Sequence, residues 1–373
     1  MRLRITIYII ISIAIIIIIV NIVSEYEHIR ISQSSIDVLK KYNTKVVFSA
    51  LNEEGKYRGY ISESTHNYRE LKTPFSNNFI TPSFSPDGNI VIYAEFDGHG
   101  YQLAFTDISQ NKTERLTNNK YNDYAPVFSP DGKYIAWCRV PKMELQEADQ
   151  AKIFISTWPD FHEKQLTANE LMDAYPVFTP DNKNIIVERG RVGNLFGLFQ
   201  IDLQGKDFPL LYDPQRSGNG IPHVYNNQVV FERVEVEAPG QLGVFLMDLP
   251  SRQIRRLCPN TPCNPTPRFS PDGTRIAYHN VDQLKLLGRV LSEETYIVIL
   301  GRNSSWSPIT CLRSTSKKLK LPRWNHDGRV IVGYDFANDQ LKVFDLKGDD
   351  ALVSAPGKIR NQKFMEIYNY DIY

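Results

Sequence analysis

Thirteen residues, Ala125 to Trp137 (APVFSPDGKYIAW), recur along this chain, and that recurrence constrains its fold more than any other feature. The stretch reads as two strands and a tight turn: Pro126-Val127-Phe128, then Ser129-Pro130-Asp131-Gly132, then Tyr134-Ile135-Ala136-Trp137. Proline presets φ at the first central turn position, aspartate accepts backbone N–H groups, and glycine takes the positive φ that closes the hairpin. Related copies begin at Thr81, Tyr175, Ile221, Thr266 and Leu321. Their anchoring prolines are Pro82, Pro126, Pro176, Pro222, Pro267 and Pro322, so the spacings are 44, 50, 46, 45 and 55 residues. A period of this size marks an array of small structural units.

Two further short strand patterns follow each hairpin, for example Tyr101–Phe105 and then Glu114-Arg115-Leu116-Thr117. Four short strands per unit is the content of a β-propeller blade, and the predicted fold is all-β. Residues 45–72 carry three strand patterns with no proline-bearing strand before them, and residues 358–373 carry one more, around Phe364–Tyr368. A C-terminal strand completing the first blade removes exposed sheet edges and gives seven blades. Six blades with an N-terminal addition is the alternative.

The units resemble the TolB-type propeller repeat, which runs P-x-F/W-S-P-D-G-x-x-I-A-Y, then L-Y-x-x-D, then R-L-T. The resemblance extends from about Lys45 to the C-terminus, with degenerate turns at Asn182, Tyr225-Asn226-Asn227 and Asn325-His326. It implies a docking platform for a protein or peptide partner in the cell envelope. The chain departs from TolB in lacking its separate N-terminal domain, so TolB's own partners do not carry over. Similar propellers occur in oligogalacturonate lyases, where clustered histidines hold a divalent metal. The alternative reading is therefore a propeller enzyme or carbohydrate-binding protein using the channel mouth. The seven histidines here are scattered, and His223 alone falls at a channel-side position, so no metal site and no cofactor are predicted.

Residues 1–23 stand apart. Arg2 and Arg4 precede Ile5–Val23, nineteen residues without a charge, long enough to cross a bilayer as a helix. The arginines favour the cytoplasmic side, which makes this a single-pass signal anchor and exports the rest to the periplasm or the cell exterior. Cleavage after the run is the rival, but the run exceeds the usual length of a signal core. Residues 24–44 read as a polar stalk with a weak helical pattern at Ile36, Leu39 and Tyr42, and residues 45–373 as the propeller. With 43 Lys+Arg against 42 Asp+Glu, no nucleic acid is expected as a partner.

No G-x-S-x-G elbow, phosphate-binding loop or dinucleotide fingerprint appears, so nothing in the sequence assigns a catalytic residue. Two insertions, Val140–Gln150 and Val281–Thr295, have charged, helix-permitting sequences and should emerge on the face where each innermost strand is entered. Repeat alignment supplies the candidate ligand-binding residues. His223, Arg268 and Arg323 follow successive anchoring prolines and fall on adjacent blades. Asp123 and Asp173, three residues before theirs, are expected across the mouth, giving a basic and an acidic side able to orient a peptide terminus or carboxylate. Cys258 and Cys263 share a proline-containing loop where a local disulfide is geometrically accessible in an oxidising compartment.

Overall fold

The computed structural model of this chain describes residues 33–354 and 370–373, apart from 52–55, 64–65, 76–77, 142–149, 192–195, 213–216, 236–241, 259–265, 287–288, 303–305, 314–315, 336, 338–339 and 348–350. The repeated turns close through their own side chains. In the copy at Pro126, the Ser129 N–H bonds the Tyr134 carbonyl and the Gly132 N–H bonds the Ser129 carbonyl, both at 2.9 Å. Asp131 accepts the Ser129 hydroxyl at 2.7 Å and the Lys133 N–H at 3.1 Å. Gly132 takes φ +71°, and Asn182 takes φ +60° at the same position of a degenerate copy, a region asparagine visits more readily than most residues.

Among the described residues, strands β1 to β28 form seven antiparallel four-stranded sheets. Six sheets are the six repeats, with innermost strands β4 (Ile80–Phe84), β8 (Asn122–Phe128), β12 (Met172–Phe178), β16 (Ser217–Tyr225), β20 (Arg268–Phe269) and β24 (Leu319–Trp324). The seventh is composite, ordered β28 (Tyr370–Ile372), β1 (Val46–Leu51), β2 (Tyr57–Glu63), β3 (His66–Glu70). The fold is thus a seven-bladed propeller whose two chain ends share a blade. The closing strand lies at Tyr370–Ile372, while Phe364–Tyr368, where it was expected, falls outside the described residues. The core sits between blades: Ile135 and Trp137 of one blade, for example, pack with Ile80, Ile92 and Leu103 of the preceding one.

Strand β28 is short, so its anchors matter. It pairs Val46↔Ile372, Val47↔Asp371 and Phe48↔Tyr370. Lys45 and Tyr373 exchange both backbone hydrogen bonds at 2.8 Å. The Tyr373 ring stacks on His326 with centroids 4.7 Å apart and packs over Gly88, where an added Cβ would come within 2.3 Å of it.

Two segments differ from expectation. Part of the polar stalk is a helix, α1 (Gln33–Lys41), docked on the propeller. Leu39 is fully buried against Val46, Phe48, Leu321 and Val330, and Asp345 accepts bonds from Lys41 Nζ at 2.7 Å and the Tyr42 hydroxyl at 2.6 Å. One apolar side chain entering an interblade seam gains more than solvation offers it, which explains docking by a mostly polar helix. Residues 1–32, holding the expected anchor and the start of the stalk, lie outside the described residues. Among those described, no helix is long and apolar enough to cross a membrane.

The insertion at Val281–Thr295 is extended rather than helical. It prolongs β21 (Arg275–Leu286) and β22 (Arg289–Gly301) into a two-stranded ribbon, paired out to Leu286↔Arg289. Lengthening two strands already in register avoids the nucleation cost of a new helix. Residues 142–149 of the other insertion lie outside the described residues.

Candidate ligand-binding channel

The residue before each anchoring proline has a left-handed backbone: Thr81 (φ +49°), Ala125 (+50°), Tyr175 (+53°), Ile221 (+48°), Thr266 (+42°) and Leu321 (+56°). In five of the six repeats the ladder shifts register at this point, between Ile80 and Ser83, Tyr124 and Val127, Ala174 and Val177, Gly220 and His223, and Lys320 and Arg323. These are β-bulges, which leave a residue out of the ladder and re-aim the strand. The strained N–H groups are met from the preceding blade. Ala125 N–H bonds Thr81 Oγ1 at 3.1 Å, Tyr175 N–H bonds Cys138 Sγ at 3.3 Å, and Ile221 N–H bonds the Glu188 carboxylate.

Beyond each bulge comes one equivalent residue per blade. The cross-strand pairs Ser83↔Ile92, Val127↔Ala136, Val177↔Ile186, His223↔Val230, Arg268↔Ala277, Arg323↔Val332 and Asp371↔Val47 align these seven positions around the axis. A cavity of about 160 Å³ in the channel is lined by the bulges and by ring members including Ser83, Val127, Val177, Arg268, Arg323 and Asp371. Arg268 and Arg323 are partly exposed and lie on adjacent blades. Asp371, absent from the sequence-derived set, is the next ring member after Arg323. Tyr370 stands where the other blades carry proline, so no proline marks the position.

The electrostatics are lopsided. Blades with Ser83, Val127 and Val177 present no charge in the ring, whereas His223, Arg268, Arg323 and Asp371 form a contiguous polar arc. His223 Nδ1 accepts the Phe269 N–H at 3.2 Å, which leaves Nε2 as the protonated nitrogen of a neutral ring. The side chain is half-buried and surrounded by protein. That burial, together with the Arg268 and Arg323 charges, pushes its pKa well below the usual histidine value. One Asp371 oxygen accepts the Phe84 N–H of the next blade at 2.9 Å. Burial raises the Asp371 pKa, opposed by that bond and by the charges of Arg323 and Arg268.

Two further carboxyls sit behind the arc. Burial pushes Glu188 up to about 7, against the Ile221 N–H and the Arg268 charge. Burial and then the neighbouring Glu188 push Glu232 up to about 8, against the Thr266 N–H. One Glu232 oxygen has no hydrogen-bond partner, a state that favours the protonated form.

Asp123 and Asp173 do not face the mouth. Each is fully buried within its own blade. Arg139 reaches Asp123 at 2.6 and 2.9 Å and also binds Glu163, and Trp137 Nε1 bonds Asp123 at 3.1 Å. Arg189 repeats the arrangement with Asp173 at 2.6 and 3.2 Å, joined by Asp207. The cause is register: Asp123↔Arg139 and Asp173↔Arg189 are cross-strand neighbours, and a buried charge needs its partner. Each triad ties together strands of a single blade, its three charges lying on the innermost, second and outermost strands. Cys258 is a buried free thiol whose sulfur accepts the Val244 N–H at 3.3 Å, and Cys263 lies outside the described residues. Among the described residues no three His, Cys, Asp or Glu side chains are grouped to hold a metal ion.

Residues 38–213 match the TolB beta propeller domain. Over those residues the chain is similar to TolB-type propeller repeats. The Tol-Pal system protein TolB of Francisella tularensis subsp. mediasiatica is 35% identical over 79 residues, 21% of this chain and 17% of that protein. The match thus spans under a fifth of that curated relative. Among solved structures, TolB from Acinetobacter baumannii superposes with a TM-score of 0.52 at 19% identity, covering 73% of this chain and 64% of that one. Oligogalacturonate lyase from Vibrio parahaemolyticus reaches a TM-score of 0.64 at 8% identity, covering 83% and 88%. At such identities the superpositions establish a shared fold, and the family match covers residues 38–213.

Proposed function

We propose that this chain is a membrane-tethered, extracytoplasmic TolB-type propeller that serves as a protein-interaction scaffold, docking a protein or peptide of the cell envelope at its channel mouth. The observation that carries the reading is the arc of His223, Arg268, Arg323 and Asp371 on four adjacent blades, of which Arg268, Arg323 and Asp371 line one cavity. Charged groups presented on a rigid ring suit recognition of a partner's polar group better than structural duty alone. Arg2 and Arg4 ahead of an uncharged nineteen-residue run support export with the N-terminus retained inside.

The position of α1 supports an orientation as well. Its partner Asp345 pairs with Val330, beside the turn at Asn325–Gly328. A tether entering through α1 therefore reaches the turn face. The opposite face, where the innermost strands are entered and the β21–β22 ribbon extends, then points away from the bilayer.

The test has two arms. Reporter fusions after Tyr373 should be active only with a reporter that works outside the cytoplasm, and activity of a cytoplasm-only reporter contradicts the export. The full chain should capture a discrete envelope protein, and Arg268→Gln/Arg323→Gln should lose it with an unchanged melting temperature. Undiminished capture by the double variant contradicts docking at the channel.

A further inference from the structure

Three consecutive blades differ in how their innermost strands are held. In β8 and β12 the entry end is fixed by a carboxylate, Asp123 or Asp173, ion-paired to the arginine opposite it on the second strand. In β16 the same register position is Asn219, opposite Arg233. The outer acid is replaced as well: Ile254 faces Met247 where Asp207 faces Ile201 and Glu163 faces Ser156. The seat of the arginine survives, with Arg233 over Phe245 at 5.5 Å as Arg189 lies over Phe199 at 4.5 Å. Arg233 has other partners, but the Asn219 amide does not bond it. Both polar atoms of the Asn219 side chain lack a hydrogen-bond partner although the residue is only 3% exposed, and so does Oγ of Ser217, which is wholly buried. Ser217 and Asn219 share one face of the strand, and the intervening Gly218 and the following Gly220 bring no side chain to pack. Ties to the preceding blade follow one pattern in both strands: Asn219 N–H bonds the Phe196 carbonyl at 2.8 Å as Asp173 N–H bonds that of Ala151 at 3.0 Å. Just beyond Asn219, Ile221 and Pro222 line the channel cavity.

We propose that residues 217–222 of β16 are the movable wall of the channel, shifting to enlarge the cavity while β8 and β12 stay fixed. The inference rests on the docking reading above and supplies its means of access. A cavity of about 160 Å³ holds little more than one side chain, so taking in anything larger requires a wall to yield. The wall that yields is the one whose displacement breaks no side-chain bond to its own blade. Moving β8 or β12 pulls Asp123 or Asp173 away from a buried guanidinium and gives up charge-assisted bonds. Ser217 and Asn219 give up nothing by moving and gain hydration, because a buried polar group without a partner is destabilising where it sits. His223, bonded to the Phe269 N–H of the next blade, marks the end of the stretch that moves.

Amide exchange of the full-length chain in detergent, resolved by strand, tests the proposal without any ligand. Corrected for intrinsic rates, residues 217–221 should exchange about tenfold faster than residues 121–125 and 171–175, their counterparts in the two tied blades. Asn219→Asp places a carboxylate opposite Arg233 and should slow exchange over 217–221 by about tenfold while leaving the other two segments unchanged. A thiol in the channel reads the movement itself. In Val177→Cys, labelling of that residue by fluorescein maleimide, followed by peptide mass spectrometry, should slow by about tenfold when Asn219→Asp is added, while labelling by the small methyl methanethiosulfonate keeps its rate. Equal exchange of the three segments in the unaltered chain overturns the proposal, and this comparison decides it even where Asn219→Asp does not fold. A folded Asn219→Asp variant with unchanged exchange, or with unchanged labelling by the bulky reagent, overturns it too. Uniform exchange beside capture that is lost in Arg268→Gln/Arg323→Gln overturns the movable wall and leaves channel docking intact. The exchange and labelling contrasts beside undiminished capture support the movable wall and contradict the docking reading.

Discussion

Replacing Glu188 and Glu232 together with glutamine should abolish a loss of stability that the unaltered chain shows between pH 6.5 and 8.5. Both carboxyls are held above their ordinary value, at about 7 and about 8, chiefly by burial. A folded pKa above the unfolded one means that the stability is fully present below the unfolded value and is lost as pH rises through the folded one. The window must avoid opposing titrations. His223 and His279 are depressed by burial, His279 to about 3, so they lower stability only below the ordinary histidine value of 6.5. Above pH 6.5 about 0.5 unit of the Glu188 shift and about 1.5 units of the Glu232 shift remain, and at about 1.4 kcal/mol per unit these total roughly 2–3 kcal/mol. Glutamine keeps an acceptor for the Ile221 and Thr266 N–H groups, so the bulges stay bonded. Denaturant unfolding at pH 6.5, 7.5 and 8.5 reads the effect: the native chain should lose about 2–3 kcal/mol over the window and the double variant almost none. Parallel profiles for the two proteins would refute the argument that these carboxyls are buried neutral.

Other consequences are as direct. Asp123→Ala should cost roughly 3–5 kcal/mol by stranding the Arg139 guanidinium, softened where the more exposed Glu163 compensates, as chemical denaturation would show. Leu39→Ala should cost about 2–5 kcal/mol on the same measurement, since α1 docks through that side chain; a loss under about 0.5 kcal/mol would return the segment to a free stalk. Gly88→Ala combines φ +68° with a collision against the Tyr373 ring, and should speed amide exchange at Lys45 and Tyr373 ahead of the rest of the domain.

Much of this architecture was legible because the repeat encodes local events. Ser129, Asp131 and Gly132 carry the whole turn, and their spacing announces the blade count before any long-range contact is known. Placement of Arg268 and Arg323 on neighbouring blades followed from the same alignment. What escaped depends on cross-strand register rather than position along the strand. Asp123 and Asp173 look like mouth residues until Arg139 and Arg189 are seen opposite them. A search for an arginine sixteen residues after each aspartate, at the matching place in the second strand, would have found both staples. Asp371 escaped because the composite blade lacks the proline that indexes the others. Ribbon formation at Val281–Thr295 reflects its two flanking strands, which a local helical preference does not see.

The closed ring is tested most directly by a covalent bond across the seam. Because Lys45 and Tyr373 exchange both hydrogen bonds, Val46 and Ile372 form the adjacent non-hydrogen-bonded pair, where Cα atoms lie about 4.5 Å apart and side chains are close enough for a disulfide. Val46→Cys/Ile372→Cys should therefore oxidise to near completion as a monomer, shift in non-reducing electrophoresis, and raise the melting temperature relative to its own reduced form. If the two cysteines stay reduced under oxidant in a folded monomer, or cross-link only between molecules, the chain ends do not share a blade and the seven-bladed ring is contradicted.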